Sequence, residues 1–274
     1  LAQQAGIAIP KLYHVIEMQH QVKQLASILE PYSDFVIKPA HGSGGDGIVV
    51  ISQQHQQQYR KISGDSLSIF ELQHHVSSIL GGLYSLGGQT DSALIEYRIQ
   101  FDPVFSNITY QGVPDIRIIV FRGVPAMAML RLPTKQSQGK ANLHQGAIGV
   151  GIDIASGRTT SGVHANHNIS THPETGYDLH GVQVPHWESM LLTAARCYEL
   201  TSLGYIGADF VLDKDKGPLL LELNARPGLN IQIANRSGLL PRLQLINASF
   251  SLPATPEERV VFARERIPVS HASE

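Results

Sequence analysis

The chain has 274 residues, enough for one large domain or two small ones with a sizeable buried core. Apolar residues make up 42%, no apolar run is long enough to cross a bilayer, and a net charge of −2 excludes a polyanion binder that works through bulk charge. Cys197 is the only cysteine, which excludes an internal disulfide and fits a reducing cytoplasm.

Residues 1–30 read as an entry segment, with Gly6 and Pro10 as turn signals and a helical stretch over 19–29. Phe35-Val36-Ile37 is a compact apolar run closed by Lys38-Pro39 and reads as a strand. The next stretch, Gly42-Ser43-Gly44-Gly45-Asp46-Gly47, matches GxGxxG, but its last glycine opens Ile48-Val49-Val50-Ile51, a β-branched run rather than a helix. That excludes a dinucleotide fingerprint, in which the third glycine starts a helix. No Gly-Lys-Ser/Thr follows, so a Walker loop is excluded too. What remains is a β-hairpin with Lys38 on its first strand and a pliable tip whose backbone N–H groups can approach phosphate oxygens. An ordinary glycine-rich hairpin is the alternative.

A helix is expected over 67–84, and strands over 93–97, 115–121 and 125–132, the last two joined at Arg122-Gly123. Residues 133–186 read as long loops with short strands. Trp187, Met190, Leu191, Ala194 and Tyr198 recur at helical spacing. Two further strands, 206–212 and 219–223, flank the turn at 213–217. Glu222 and Asn224 are two apart on a strand and so share a face, and the turn can bring Asp209 across from them. Three oxygen ligands without His or Cys suit Mg²⁺, the alternative being a solvated sheet face. The histidines His164, His167, His172, His180 and His186 lie in loop-like sequence without zinc spacing and read as solvated. Cys197, on a helix face, reads as packing.

In this order, a strand lysine, a glycine lid, an acidic hinge, an Asp and then Glu-x-Asn with Pro-Gly close behind, the chain resembles the ATP-grasp superfamily over residues 6–245. The resemblance implies an α+β ATP-grasp fold: an entry segment (1–30), a small hairpin-bearing lid subdomain (31–92), a larger α+β subdomain with the Mg site (93–248) and a polar tail (249–274), with the nucleotide between the two subdomains. It implies ATP and Mg²⁺ as cofactors. Lys38, His41, Gly42, Ser43, Gly44, Gly45, Gly47, the hinge residues Glu96 and Tyr97, and Asn142 would bind nucleotide. Asp209, Glu222 and Asn224 match the Mg-binding trio of ligases such as D-alanine–D-alanine ligase. Asp115-Ile116-Arg117 and Ala141-Asn142-Leu143-His144-Gln145-Gly146 look closest to the glutamate-adding ligases, by which Arg117 and Arg131 would hold the transferring phosphate or the acyl phosphate. His144 is a candidate for substrate contact, and it and Arg226 are counted with the catalytic residues. The superfamily's earlier nucleotide-contacting lysine has no counterpart here except Lys11, and Gly207 stands where some members place a catalytic arginine. The implied activity is Mg-ATP-dependent carboxylate–amine ligation through an acyl phosphate, adding glutamate or another amino acid. The alternative is a nucleotide-binding regulatory or phosphotransfer module without ligation. The expected partners are ATP, a small carboxylate and an amine, or a peptide or protein acceptor, with no nucleic acid or membrane. A homo-oligomer is allowed, and the location is expected to be cytoplasmic.

Overall fold

The computed structural model describes residues 1–249, apart from Ser43, Gln56 and Leu86, and residues 254–267. These residues form two compact units, Pro10–Ile99 and, around it in sequence, Leu1–Ile9 with Gln100–Glu274. No helix among the described residues is long and apolar enough to cross a membrane.

The first unit is a six-stranded antiparallel sheet in the order β1-β6-β2-β3-β4-β5. Its strands are β1 (Leu12–Ile16), β2 (Phe35–Pro39), β3 (Val49–His55), β4 (Gln58–Lys61), β5 (Ser66–Ser68) and β6 (Ala93–Glu96). The helical stretch expected over 19–29 is two short helices, α1 (Gln19–Val22) and α2 (Leu25–Leu29). Helix α3 (Ile69–Leu80) starts at Ser68, whose hydroxyl accepts from the Glu71 N–H while the Glu71 carboxylate accepts from the Ser68 N–H at 2.7 Å. Its Leu72, Val76 and Ile79 recur at helical spacing and bury against Phe35, Ile37 and Ile95 of the sheet. Strand β2 alternates: Phe35 and Ile37 point into this core, so Val36 and Lys38 lie on the other face.

The second unit is built on a seven-stranded antiparallel sheet, β11-β10-β9-β8-β7-β12-β13. Its strands are β7 (Asp115–Phe121), β8 (Val124–Leu132), β9 (Ile148–Ile152), β10 (Thr159–His164), β11 (His167–Ile169), β12 (Tyr205–Asp213) and β13 (Gly217–Asn224). Helices α4 (Trp187–Thr201), α5 (Ile231–Ala234), α6 (Leu240–Ala248) and α7 (Pro256–Arg266) complete it. Trp187, Met190, Leu191 and Ala194 bury along one stripe of α4, and the Trp187 indole N–H donates to the Ile154 carbonyl at 2.9 Å. The region expected as a polar tail contains α7, capped by Thr255 and Glu258; Val260, Ala263 and Ile267 bury in the core of this unit. Its sequence is polar enough to hide that narrow stripe. The N-terminal segment belongs here too, since Ile7 is buried and the Leu220 N–H donates to the Ala8 carbonyl at 2.9 Å.

Register decides what one face of this second sheet carries. Residues opposed in an antiparallel pair share a face. Val163, Gly149, Arg131 and Asp115 form one row across β10, β9, β8 and β7, and Arg117, Asp209 and Glu222 form the next across β7, β12 and β13. Asp115 and Arg117 are two apart on β7, so both rows lie on the same face.

Candidate active site

On that face the side chains join into a chain of ion pairs. The Arg117 guanidinium donates from Nε to Asp209 Oδ1 at 2.7 Å and from Nη2 to Oδ2 at 2.5 Å. Arg131 donates from Nη2 to the same Oδ2 at 2.8 Å, and from Nε and Nη2 to both oxygens of Asp115 at 2.5 and 2.6 Å. Asp209 is 1% exposed, so two planar guanidinium groups replace the water it would otherwise need. Burial alone would raise its pKa, but the Arg117 hydrogen bonds and the charges of Arg131 and Arg117 hold it below the usual carboxylate range. Asp115 is also buried, has a single arginine partner and feels the Asp209 charge. Burial therefore pushes its carboxyl up to about 6. The Nη1 groups of Arg117 and Arg131 stay uncommitted among the described residues. Each guanidinium is thus oriented from behind by carboxylates and keeps donors for an incoming anion.

Asp209, Glu222 and Asn224 come together as the strand pairing requires. Asn224 Nδ2 donates to Glu222 Oε1 at 2.9 Å and lies 3.3 Å from Asp209 Oδ2. Glu222 is exposed and Asn224 half-buried. With its nitrogen so engaged, the Asn224 amide leaves its oxygen for another partner. The Asp209 Oδ2 atom, in contrast, already faces three donors. Among the described residues no three His, Cys, Asp or Glu gather into a metal cage. The donor set nevertheless fits Mg²⁺, which takes one or two carboxylates and keeps its remaining positions for water and phosphate oxygens. In this set Glu222 and the Asn224 oxygen are the open oxygen donors, and Asp209 Oδ1 accepts one hydrogen bond only among the described residues.

The residues expected to meet nucleotide in the first unit lie on the outer face of its sheet and in the glycine loop. Lys38 Nζ pairs with Glu96 at 2.6 Å, both on the sheet face away from the core, and the Tyr97 N–H donates to the Lys11 carbonyl at 2.9 Å. The glycine loop is fastened at both ends. The His41 N–H donates to Asp91 at 3.0 Å and its Nδ1 lies 2.7 Å from the same carboxylate, while Gly42 bridges to Ser85. At the far end His75 Nε2 donates to the Gly47 carbonyl at 2.9 Å, and the Tyr84 ring lies against the Gly47 α-carbon. Burial lowers the His75 pKa, which favours the neutral ring. Gly44 and Gly45 turn between these anchors; Ser43 lies outside the described residues.

Asn142 caps the short 3-10 turn Leu143–Gln145 by accepting from the His144 N–H at 3.0 Å, and Arg226 is exposed on the loop after β13. His144 lines an open cleft of about 400 Å³ that also takes in Gln136, Asn166 and Asn230. Cys197 is buried among core residues, and burial pushes its thiol up to about 12, so it packs and does not act as a nucleophile. His172 is buried and tied to Glu174 and the Pro133 carbonyl. Sequence reasoning passed over Asp115 as a site residue, although its spacing from Arg117 already put the two on one face. It also passed over Gln136, Asn166 and Asn230, which come from three separate segments and carry no local signal.

The family model described as sugar-transfer associated ATP-grasp matches residues 1–248. No curated protein matches the chain. Among solved structures it is similar to a biotin carboxylase–β,γ-ATP complex from Campylobacter jejuni, with 15% identity and a TM-score of 0.51 over 93% of this chain and 46% of that one. It is also similar to D-alanyl-alanine synthetase A from Vibrio cholerae, with 9% identity and a TM-score of 0.48 over 97% and 62%. A D-cycloserine synthetase aligns with 13% identity and a TM-score of 0.45 over 88% and 65%. The chain thus spans less than two thirds of each of these proteins, and at 15% identity the likeness to the biotin carboxylase is one of fold.

Proposed function

We propose, because this chain belongs to the sugar-transfer associated ATP-grasp family, that it is a Mg-ATP-dependent carboxylate–amine ligase. The observation that carries this reading is the single sheet face on which Arg117, Arg131, Asp209, Glu222 and Asn224 stand in register. A substrate carboxylate oxygen attacks the γ-phosphorus of ATP, the bond to the β-phosphate oxygen breaks, and ADP leaves. An amine then attacks the acyl carbon of the resulting acyl phosphate, phosphate departs and the nitrogen loses a proton to solvent. The uncommitted Nη1 groups of Arg117 and Arg131 suit the charge that shifts among these oxygens. Mg²⁺, when bound, supplies further offset of phosphate charge, and Glu222, Asn224 and Asp209 would hold it.

In the other unit Lys38, with Glu96 and Tyr97, would meet the nucleotide. His41, Gly42, Ser43, Gly44, Gly45 and Gly47 would cover its phosphates. The likeness of Asp115-Ile116-Arg117 and residues 141–146 to glutamate-adding ligases supports an amino acid as one of the two substrates.

The test is ADP release from Mg-ATP across a panel of carboxylates and amines, with hydroxylamine added to trap acyl phosphate as hydroxamate. Amine-dependent ADP release is expected. Glu222→Gln keeps the shape and removes a charge at an exposed position, so turnover should fall at least about a hundredfold while nucleotide still binds. Near-normal turnover by this variant would sink the reading. Nucleotide binding without ADP release under any pairing would favour a regulatory module.

A further inference from the structure

The cleft beside His144 lies entirely within the second unit and on the same sheet face as the arginine cluster. Val163, which lines it, stands two strands from Arg131, and Gly149 stands between them. The Leu143 side chain lies over Gly149, where any added Cβ would meet it at 2.9 Å. The glycine therefore lets the cleft floor approach the strand.

Its walls are held in place. Thr134 Oγ1 donates to the Gly146 carbonyl at 2.8 Å, and His164 Nε2 donates to that same carbonyl at 3.1 Å. The β10–β11 turn places Ala165 and Asn166 at φ of 47° and 64°. A two-residue hairpin turn requires positive φ at both positions, which Asn tolerates and Ala adopts at a cost. A cavity of about 400 Å³ falls within the range of small-molecule sites.

Chemistry narrows the ligand. None of the ten lining residues is Lys, Arg, Asp or Glu. The floor is aliphatic, from Leu143, Val163 and Ile233. Four polar side chains line this space; Gln136, His144 and Asn166 are exposed and Asn230 half-buried, and none of them hydrogen-bonds to a described residue. Three of the four are carboxamides, each offering a donor and an acceptor side by side. Vicinal hydroxyls present that same pairing. A free amino acid would bring an ammonium and a carboxylate to a cleft that holds no opposite charge, so an amino acid substrate would lie nearer the guanidinium groups and not in this cleft.

We infer that this cleft binds an uncharged polyhydroxyl group, the body of a saccharide, and so positions one substrate of the reaction beside Arg131. Its part in the reaction rests on the ligase reading; its binding chemistry does not, and the two are tested apart.

The experiment is saturation-transfer NMR and calorimetry on the full chain with methyl α-D-glucopyranoside, N-acetylglucosamine and L-glutamate as probes, and with ADP measured in the same samples. Saturation transfer to a glycoside is expected, weakened at least about tenfold in the Gln136→Ala/Asn230→Ala double variant, the scale of two lost hydrogen bonds. Asn166→Gly guards against misfolding as a cause, since glycine accepts the positive φ at no cost, and it should weaken binding in the same direction. The inference is overturned if neither glycoside binds, if glycoside binding is unchanged in both variants, or if L-glutamate binds and only its binding is lost in them. ADP binding and release are scored separately: their presence with no glycoside binding removes this inference alone, and their absence removes the ligase reading.

Discussion

Taking one guanidinium out of the row Arg117, Asp209, Arg131, Asp115 strands a carboxylate where water scarcely reaches. Arg117→Ala leaves Asp209 with Arg131 and the longer Asn224 contact only, and breaking a buried pair from one side costs ~3–5 kcal/mol. Urea unfolding should show a loss near the lower end of that range, because Arg131 remains. A loss below ~1 kcal/mol would mean that solvent enters freely and that the pairs do not define the site. Lost turnover in this variant would therefore say little about chemistry. Glu222, being exposed, separates chemistry from folding far more cleanly.

The hairpin of β2 and β3 was legible from its two apolar runs and the glycines between them, and so were β12 and β13, because short-range patterning fixes such elements. Their pairing also put Asp209 opposite Glu222, as the intervening turn implied. What could not be read was that β7 pairs with β12, far away in sequence, and that a bulge between Ile119 and Val120 sets the register of β7 with β8. Arg131 and Asp115 meet only through that register. Nor could sequence show that the glycine loop is fastened by His75, which comes from α3. Gly47 and Gly64 test this fastening. Both have positive φ, but a Cβ at Gly64 meets open space whereas one at Gly47 would lie 2.6 Å from the Tyr84 ring. Gly64→Ala should cost ~1–2 kcal/mol for backbone conformation alone, and Gly47→Ala should cost a further ~1–3 kcal/mol for overpacking. Equal losses in thermal unfolding would show that Tyr84 moves aside freely and that the loop is not held there.

The two units have separate apolar cores, one around Phe35, Ile37 and Leu72 and the other around Ile118, Leu130 and Leu191. Each unit has its own closed set of strand pairings. Cooperative unfolding follows shared burial, so calorimetry of the whole chain should resolve two transitions. A single transition whose calorimetric and van't Hoff enthalpies agree would contradict this. α7 belongs to the second core through Val260 and Ala263, so truncation before Pro256 should lower only one of the two midpoints.

The hydrogen bond between Leu220 and Ala8 joins residues 212 positions apart in sequence. On the ribosome, Leu1–Ile9 leaves the exit tunnel long before the strand it will join has been made. The stretch Pro10–Ile99, a compact unit of its own, can fold meanwhile. The second unit has to hold Leu1–Ile9 unsatisfied until β13 has been made, so its completion waits on a contact between segments far apart in sequence. During that interval Ile7, buried in the finished protein, is exposed and available to chaperones.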